Sequence, residues 1–339
     1  MLNQTDHYRG KAILVTGSAG FIGSALVKAL SEVDCDLICL KTGNRKIEVA
    51  PENKARITIR NGDIRSPVIW NELLDGVDVI FHFAAQTSSK FANDNPVDDM
   101  EINLAPVVRF IDTCQKKGVR PDIIFSGTVT QTGLTTDYPV DEQRRDAPIT
   151  VYDINKLAQE KYLQYYGLEM GGRSVTLRLT NVYGPGARSS RADRGILNLM
   201  ATRALAGQPL TIYGDGNYIR DYIFIDDVVS AFLAAGTTLP VLNGKYYVLG
   251  SGKGHSIKTM AETVRDLAAK IADKHVKIKH VPAPPDLSRI EFRHFVADTH
   301  NFRIASGWKP EFSLYEGVRR TIQFFRDLNS AGFRSNDKR

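Results

Sequence analysis

The sequence contains few cysteines, and they form no recognisable pattern. The three cysteines, Cys35, Cys39 and Cys114, are odd in number, and no pair has the spacing of a zinc site. A disulfide framework and a zinc centre are therefore not indicated. We expect reduced, buried thiols and no bound metal.

Long hydrophobic runs are also missing. No stretch approaches the roughly 20 apolar residues that are needed to span a bilayer. The N-terminal segment has only the short apolar run AILVT before a glycine, not the core of a signal peptide. These absences predict a cytoplasmic protein with no membrane partner.

The basic residues are not clustered in the sequence. The net charge is +6, but the lysines and arginines are spread along the chain and no long basic run alternates with aromatic residues. We therefore predict no nucleic-acid partner and expect a few arginines to bind phosphate groups instead. The hydrophobic share of 42% and the charged share of 24% are typical of a globular protein.

Short apolar strands alternate with helical patterns through the first half of the chain. This alternation predicts an α/β fold with a parallel sheet that is covered on both faces. A long helix is expected over about 98–117, a second helix over 151–168, and one strand over SVTLRLTNVYG. Beyond residue 184 the pattern changes to loops, short strands and two further helices.

A glycine-rich turn lies directly between the first strand and the first helix. Gly17, Gly20 and Gly23 stand in GSAGFIG, where the first glycine makes the turn, the second lets the backbone approach a pyrophosphate, and the third lets the helix pack closely. Phe21 and Ile22, within the same motif, are further candidates for cofactor contact, and the helical pattern SALVKALSEV follows, whose N-terminal free N–H groups suit phosphate. We therefore predict a Rossmann-type, doubly wound fold that binds a nicotinamide dinucleotide, rather than an ordinary strand–helix turn.

The position that usually holds a ribose-binding acid is basic in this chain. No Asp or Glu occurs from Leu37 to Ile47, and Lys41, Arg45 and Lys46 are present instead. A cationic pocket suits a 2′-phosphate, which favours NADP over NAD; the alternative is a solvated loop with incidental charge.

Other segments add candidates for cofactor contact. Asp63, followed by Ile64, comes after the third strand and is placed to accept a hydrogen bond from the adenine amino group. The small residues Ala84 and Ala85, followed by Gln86, stand at the end of the strand FHFAAQ, where a cofactor can pass close to the backbone.

Tyr152 and Lys156 form a candidate catalytic pair in YDINK. They are four residues apart at the start of a predicted helix and therefore share one face. A nearby lysine charge favours the phenolate and lowers a tyrosine pKa that is normally near ~10, which allows acid–base catalysis. Thr128, at the end of the preceding strand, can bind the reacting oxygen, and Thr130 is a further substrate-binding candidate.

The order of glycine turn, strand-end hydroxyl and Tyr–Lys pair resembles the short-chain dehydrogenase/reductase superfamily. The segments LRLTNVYGPG, YGDGNYIRDYIFIDDVV and SGWKP resemble its extended branch of nucleotide-sugar epimerases, dehydratases and reductases. The resemblance implies a nucleoside diphosphate sugar as substrate, with Asn181, Arg220 and Arg289 near its diphosphate. It also implies that the helices near 98–117 and 151–168 form the bundle of a homodimer.

The resemblance also implies two lobes. We expect a dinucleotide-binding domain over 1–180, to which segments near 221–250 return, and a smaller substrate lobe over 181–330. The residues 331–339 are expected to be a frayed tail.

The exact reaction stays open at this point. Val129 and Thr130 occupy the positions where the branch's 4,6-dehydratases have Asp and Glu, so dehydration is disfavoured. The basic loop narrowly favours an NADPH-dependent 4-keto-sugar reductase over a 4-epimerase. A non-catalytic dinucleotide sensor is the third hypothesis, and the retained Tyr–Lys pair argues against it.

Overall fold

The computed structural model describes residues 5–187, 195–285 and 287–330. The predicted frayed tail, 331–339, lies outside these residues. Within them the strands, in chain order from β1 to β12, are Ala12–Thr16, Asp36–Lys41, Arg56–Asn61, Val79–His82, Asp122–Thr128, Arg173–Leu179, Asn181–Tyr183, Leu210–Tyr213, Ile219–Phe224, Lys245–Leu249, Gly254–Ser256 and Ile278–Val281.

The α-helices are interspersed with these strands. In chain order from α1 to α12 they are Phe21–Leu30, Ile69–Leu73, Ser89–Asp94, Pro96–Asp99, Ala105–Lys117, Val151–Leu168, Ile196–Leu205, Ile225–Thr237, Leu239–Leu242, Ile257–Ala272, His300–Ser306 and Leu314–Ser330. Among the described residues, no helix is both long and apolar enough to cross a membrane.

A seven-stranded sheet forms the centre of the fold. Its strand order is β10-β6-β5-β4-β1-β2-β3, and each neighbouring pair is parallel. The interior strands are buried on both faces, which is why they appear in the sequence as short continuous apolar runs. The predicted Rossmann-type α/β fold is confirmed.

Two predicted elements differ from the structure. The expected strand SVTLRLTNVYG divides into β6, in the central sheet, and β7, in a three-stranded sheet with β9 and β11. The helix expected over 98–117 contains a π-helical segment, Met100–Leu104, just before α5. Pro106 has no backbone N–H to donate to the preceding turn, which accounts for the local change in helical geometry.

The later part of the chain packs around a second apolar cluster. Helices α7, α10 and α12 pack on one another, and Met200, Met260 and Val318 are buried among them. Strand β10 lies in the central sheet, next to β6. The division into domains at residue 180 stays a prediction.

Candidate active site

A large cavity lies at the carboxyl edge of the central sheet. Its volume is about 1170 Å³, which exceeds the size of a typical single-ligand pocket. Because all strands of a parallel sheet end on the same side, residues that are far apart in sequence meet there. The lining includes most of the predicted site residues: Gly17, Gly20, Phe21, Ile22, Gly23, Lys41, Arg45, Asp63, Ile64, Ala84, Ala85, Thr128, Thr130, Tyr152, Lys156 and Asn181.

The glycine turn between β1 and α1 forms one wall of this cavity. Gly17 has a φ of +65°, and a Cβ there would lie 2.7 Å from the backbone nitrogen of Ala84. A Cβ at Gly23 would lie 2.3 Å from the carbonyl oxygen of Gly17. The turn therefore packs as the motif requires, and it leaves the N-terminal N–H groups of α1 facing the cavity. These residues fit a dinucleotide pyrophosphate.

Basic residues line the part of the cavity beyond the end of β2. Lys41 is the last residue of that strand, and its Nζ donates to the carbonyl oxygen of Gly43 at 2.7 Å. Arg45 also lines the cavity. Asp63 accepts the guanidinium of Arg65 at 2.6 Å, and this contact holds the pKa of the Asp63 carboxyl below its usual range.

Gln86 is a predicted cofactor-binding residue that the structure does not bring to the cavity. Its Nε2 donates to Oδ1 of Asp99 at 2.6 Å and to the carbonyl oxygen of Ser88 at 2.9 Å. The residue lies four positions after the end of β4, and its contact with the cofactor stays a prediction. The side-chain amide of Gln86 binds the buried carboxylate of Asp99, because a buried charge without a hydrogen-bond partner is costly in free energy.

The carboxylate of Asp99 is the centre of a buried polar cluster behind the catalytic helix. It is fully buried and accepts three side-chain amides, from Gln86, Asn103 and Asn155. Asn155 is the residue before Lys156 in α6. The cluster therefore ties the first half of α6 to the π-helical segment.

Lys156 lies deep in the wall of the cavity. Its side chain is buried, and its Nζ is 4.0 Å from the centroid of the Phe125 ring. Burial lowers the pKa of Lys156 to about 7, although the charges of Asp99 and Glu160 oppose the shift. Tyr152 lies one turn earlier on the same helix and lines the same cavity.

Thr128 and Thr130 meet the start of α6 at the end of β5. Their hydroxyl oxygens are 2.8 Å apart, and the hydroxyl of Thr130 donates to Oδ1 of Asp153. The other carboxylate oxygen of Asp153 accepts the hydroxyl of Thr150, the N-cap residue of α6, at 2.7 Å. A hydroxyl chain therefore links the strand end to the catalytic helix.

The two predicted arginines do not line the cavity. Arg220 is buried, and its guanidinium donates to the backbone carbonyl oxygens of Ile219, Glu291 and Arg293. Burial and the neighbouring Arg293 lower the pKa of Arg220 to about 10. Arg289 is exposed. Three of the five N–H donors of Arg220 therefore bind backbone carbonyl groups, and two of these contacts hold the segment that carries Glu291 and Arg293. A contact of Arg220 with the substrate diphosphate stays a prediction.

Sequence reasoning missed three residues of the site. Arg293 lines the cavity together with Asn181 and Tyr222, and nothing in the local sequence distinguishes it from Arg289. Asp99 has no motif of its own. Asp153 did give a signal, because it replaces the small residue that usually follows the tyrosine of the family motif.

The chain matches the NAD dependent epimerase/dehydratase family over residues 13–250. A UDP-glucose 4-epimerase of Mycolicibacterium smegmatis is 31% identical, and the match covers 93% of this chain and 98% of that protein. The cofactor dependence in the family's name agrees with the predicted dinucleotide site. It does not confirm the preference for NADP.

Solved structures of two 4-epimerases resemble this fold closely. The Thermotoga maritima UDP-glucose 4-epimerase with UDP-glucose has a TM-score of 0.81 and 29% identity, over 94% of this chain and 99% of that one. The Thermus thermophilus UDP-glucose 4-epimerase in complex with NAD has a TM-score of 0.79 and 29% identity, over 93% of this chain and 99% of that one. These relatives favour the epimerase alternative over the reductase.

Proposed function

The chain belongs to the NAD dependent epimerase/dehydratase family, and on that premise we propose that it inverts C4 of a nucleoside diphosphate sugar. The observation that carries the proposal is that one cavity is lined by Tyr152, Lys156 and Thr128 together with the glycine turn. The names of its relatives support a UDP-sugar as substrate.

The reaction divides between the bound dinucleotide and the side chains of the protein. The nicotinamide, when bound, supplies reversible hydride acceptance. Tyr152 takes the proton of the C4 hydroxyl and returns it after the sugar has presented its other face. The ammonium group of Lys156 favours the phenolate of Tyr152, and Thr128 orients the reacting oxygen.

The diphosphate of the substrate requires a positive partner in the same cavity. Arg293 supports this assignment, because it lines the cavity together with Asn181. A guanidinium group binds phosphate oxygens in a bidentate fork. Arg220 acts through Arg293, whose backbone it holds.

The function is tested by incubating the purified protein with NAD and UDP-glucose and following the C4 configuration by NMR. We expect inversion at C4 without net consumption of NAD, and loss of about 10²-fold or more in Tyr152→Phe with cofactor binding retained. Stoichiometric oxidation of NADPH by a 4-keto sugar, without inversion, would identify the reductase instead. Binding without any hydride transfer would identify a sensor.

We further propose that the enzyme accepts a 2′-phosphate on its dinucleotide. Support comes from Lys41 at the end of β2, where no acid is available for the ribose hydroxyls, and from Arg45 nearby. Lys41→Asp should shift the ratio of the Kd values for NADP and NAD toward NAD by at least tenfold, measured by fluorescence titration. Lys46→Asp, in the same loop but outside the lining, is the matched control. An unchanged ratio in Lys41→Asp would remove this residue from cofactor selection.

A homodimer is proposed through α5 and α6. Along α6, Ile154, Tyr162, Tyr165 and Leu168 are large apolar residues that remain exposed. Val108 on α5 is exposed as well. An apolar helix face of this extent is typical of a surface that a partner covers.

A further inference from the structure

We propose that Gln131 is a positioning residue that fixes the hydroxyl of Thr128 beside the catalytic helix α6. Its side chain bridges the end of β5 and the middle of α6, and it is not assigned a contact with substrate or cofactor. This inference rests on the proposed function, because it concerns the residue that orients the reacting oxygen in that site.

The side-chain amide of Gln131 has one partner on the strand end and one on the helix. Gln131 lies in the short 3₁₀ turn, Val129–Thr132, that follows β5. Its Oε1 accepts the backbone N–H of Thr128 at 3.2 Å, and its Nε2 donates to Oε2 of Glu160 at 3.3 Å. Gln131 and Glu160 are each 0% exposed, so bulk water does not compete for either bond.

The Glu160 end of this bridge is anchored independently of Gln131. Arg178 on β6 donates to both carboxylate oxygens of Glu160, at 2.8 and 2.7 Å. A bidentate pair between two charged groups is stronger than the hydrogen bond of a neutral amide. Helix α6 therefore stays attached to β6 with or without Gln131, and the part that Gln131 holds in place is the turn after Thr128.

The backbone of Gln131 adds a second support to the same turn. Its carbonyl oxygen accepts the backbone N–H of Ala147 at 3.0 Å. The residue before Ala147 is Asp146, which accepts Nη1 of Arg178 at 2.6 Å. The turn is thus bound on two sides by segments that are both attached to Arg178.

Two separate links join the end of β5 to α6. Thr130 donates to Asp153 in the first turn of the helix, and Gln131 donates to Glu160 about two turns later. Lys156 lies between these two carboxylates on the same helical face. One link alone would let the turn pivot, whereas two links at different heights of the helix also fix its orientation.

The position of Thr128 affects the rate because its hydroxyl must lie within hydrogen-bond reach of the reacting oxygen. A misplacement of about 1 Å can lower a rate by about 10²-fold. Loss of the Gln131 side chain removes an acceptor from the N–H of Thr128 and lets the turn shift. The chemical step should slow, while binding of the nucleotide, which depends on other parts of the cavity, should not change.

The test is a double-mutant cycle with Gln131→Met and Thr128→Val, in which NMR follows the C4 inversion of UDP-glucose by the NAD-loaded proteins over hours. Rates are normalised to bound NAD, so that partly unfolded protein is not counted as slow. Gln131→Met alone should lower kcat roughly tenfold and change KM by less than about twofold. In Thr128→Val there is no hydroxyl to position, so adding Gln131→Met should lower kcat by less than about twofold.

Gln159→Met is the matched control on the same helix. Gln159 is also 0% exposed, and among the described residues neither atom of its side-chain amide has a hydrogen-bond partner. The same substitution there should change kcat and KM by less than about twofold. If Gln131→Met does not fold, Gln131→Asn takes its place in the cycle, because the shorter amide remains polar but cannot span both partners.

Three results would overturn the inference. The first is an equal loss of kcat from the Gln131 substitution with and without Thr128→Val, since the effect would then not act through Thr128. The others are an unchanged kcat in the Gln131 variant and a loss of similar size in Gln159→Met. Absence of C4 inversion in the unsubstituted protein would instead contradict the proposed function itself.

Discussion

At the scale of single residues, Lys156 combines a functional charge with an unfavourable environment. In the proposed mechanism its ammonium group supports Tyr152 only while it is protonated, but burial lowers its pKa from 10.5 to about 7. The nearby carboxylates of Asp99 and Glu160 oppose the shift without cancelling it. A group with these properties in a cavity is typical of a catalytic position.

The lowered pKa of Lys156 predicts a pH-dependent stability. Between pH 7 and 10.5 the unfolded chain binds a proton that the folded chain has released, so the free energy of unfolding should rise with pH there. Below pH 7 the lysine is protonated in the folded chain as well, so the unfavourable free energy of burying its charge is then at its maximum. The slope is about 1.4 kcal/mol per pH unit for one proton. Lys156→Met should lack this contribution.

The measurement is urea unfolding of the cofactor-free protein and of Lys156→Met at several pH values. Contributions from other titrating groups cancel in the difference between the two proteins. We subtract the free energy of unfolding of Lys156→Met from that of the unsubstituted protein. This difference should become more positive as pH rises from 7 to 10.5. Parallel curves would show that the pKa of Lys156 is the same in the folded and unfolded chain.

At the scale of elements, the position of α6 depends on a buried ion pair with the sheet. Arg178 on β6 donates to both carboxylate oxygens of Glu160 on α6, at 2.8 and 2.7 Å. Its Nη1 also donates to Asp146 at 2.6 Å, and the ring of Tyr246 lies 3.6 Å from its guanidinium carbon. The pair connects the helix that carries Tyr152 and Lys156 to the strand beneath it.

Breaking this pair should destabilise the fold strongly. Arg178→Met removes the two close hydrogen-bonded contacts of the Glu160 carboxylate, whose side chain is 0% exposed, and leaves it the more distant ammonium of Lys161 at 3.7 Å. The expected loss is about 3–5 kcal/mol. Chemical denaturation gives the value, and the double variant Arg178→Met/Glu160→Leu should recover part of it. The matched control is Arg56→Met, which breaks an exposed two-bond pair with Asp36 and should cost less than about 1 kcal/mol. Equal losses in the two single variants would contradict the argument.

At the scale of the whole molecule, the exposed apolar face of α6 leads to a prediction about assembly. Leu168 is 62% exposed and Tyr165 is 53% exposed, so a charge at either position disturbs little within one chain. If two copies meet through this face, Leu168→Glu should shift the protein from dimer to monomer in sedimentation velocity, because it places a carboxylate in an apolar interface. Ile304→Glu is the control, since Ile304 is 72% exposed but lies on α11. A dimer that persists in Leu168→Glu would exclude this face.

The sequence by itself determined the parts of the protein that depend on local backbone geometry. The glycine turn requires residues without a Cβ at fixed spacing, and the spacing of Tyr152 and Lys156 places them on one helical face. The alternation of apolar strands with helices predicts the parallel sheet, and the parallel sheet brings Thr128 to the same edge as Gly17. The turn and the helical face depend on neighbours within a few residues. The shared edge follows from the parallel sheet that the alternation of strands and helices predicts, so the order of elements along the chain is sufficient to predict it.

Only the tertiary structure decided where the side chains point and which distant partners they find. Gln86 turns toward Asp99, Arg220 donates to backbone carbonyl groups, and Arg293 reaches the cavity in place of Arg289. Asp153 finds Thr130 across 23 positions of sequence. Each of these side chains finds its partner because buried charges and polar groups need hydrogen-bond partners. Which partners are available depends on the segments that pack together, and no local pattern in the chain specifies that packing.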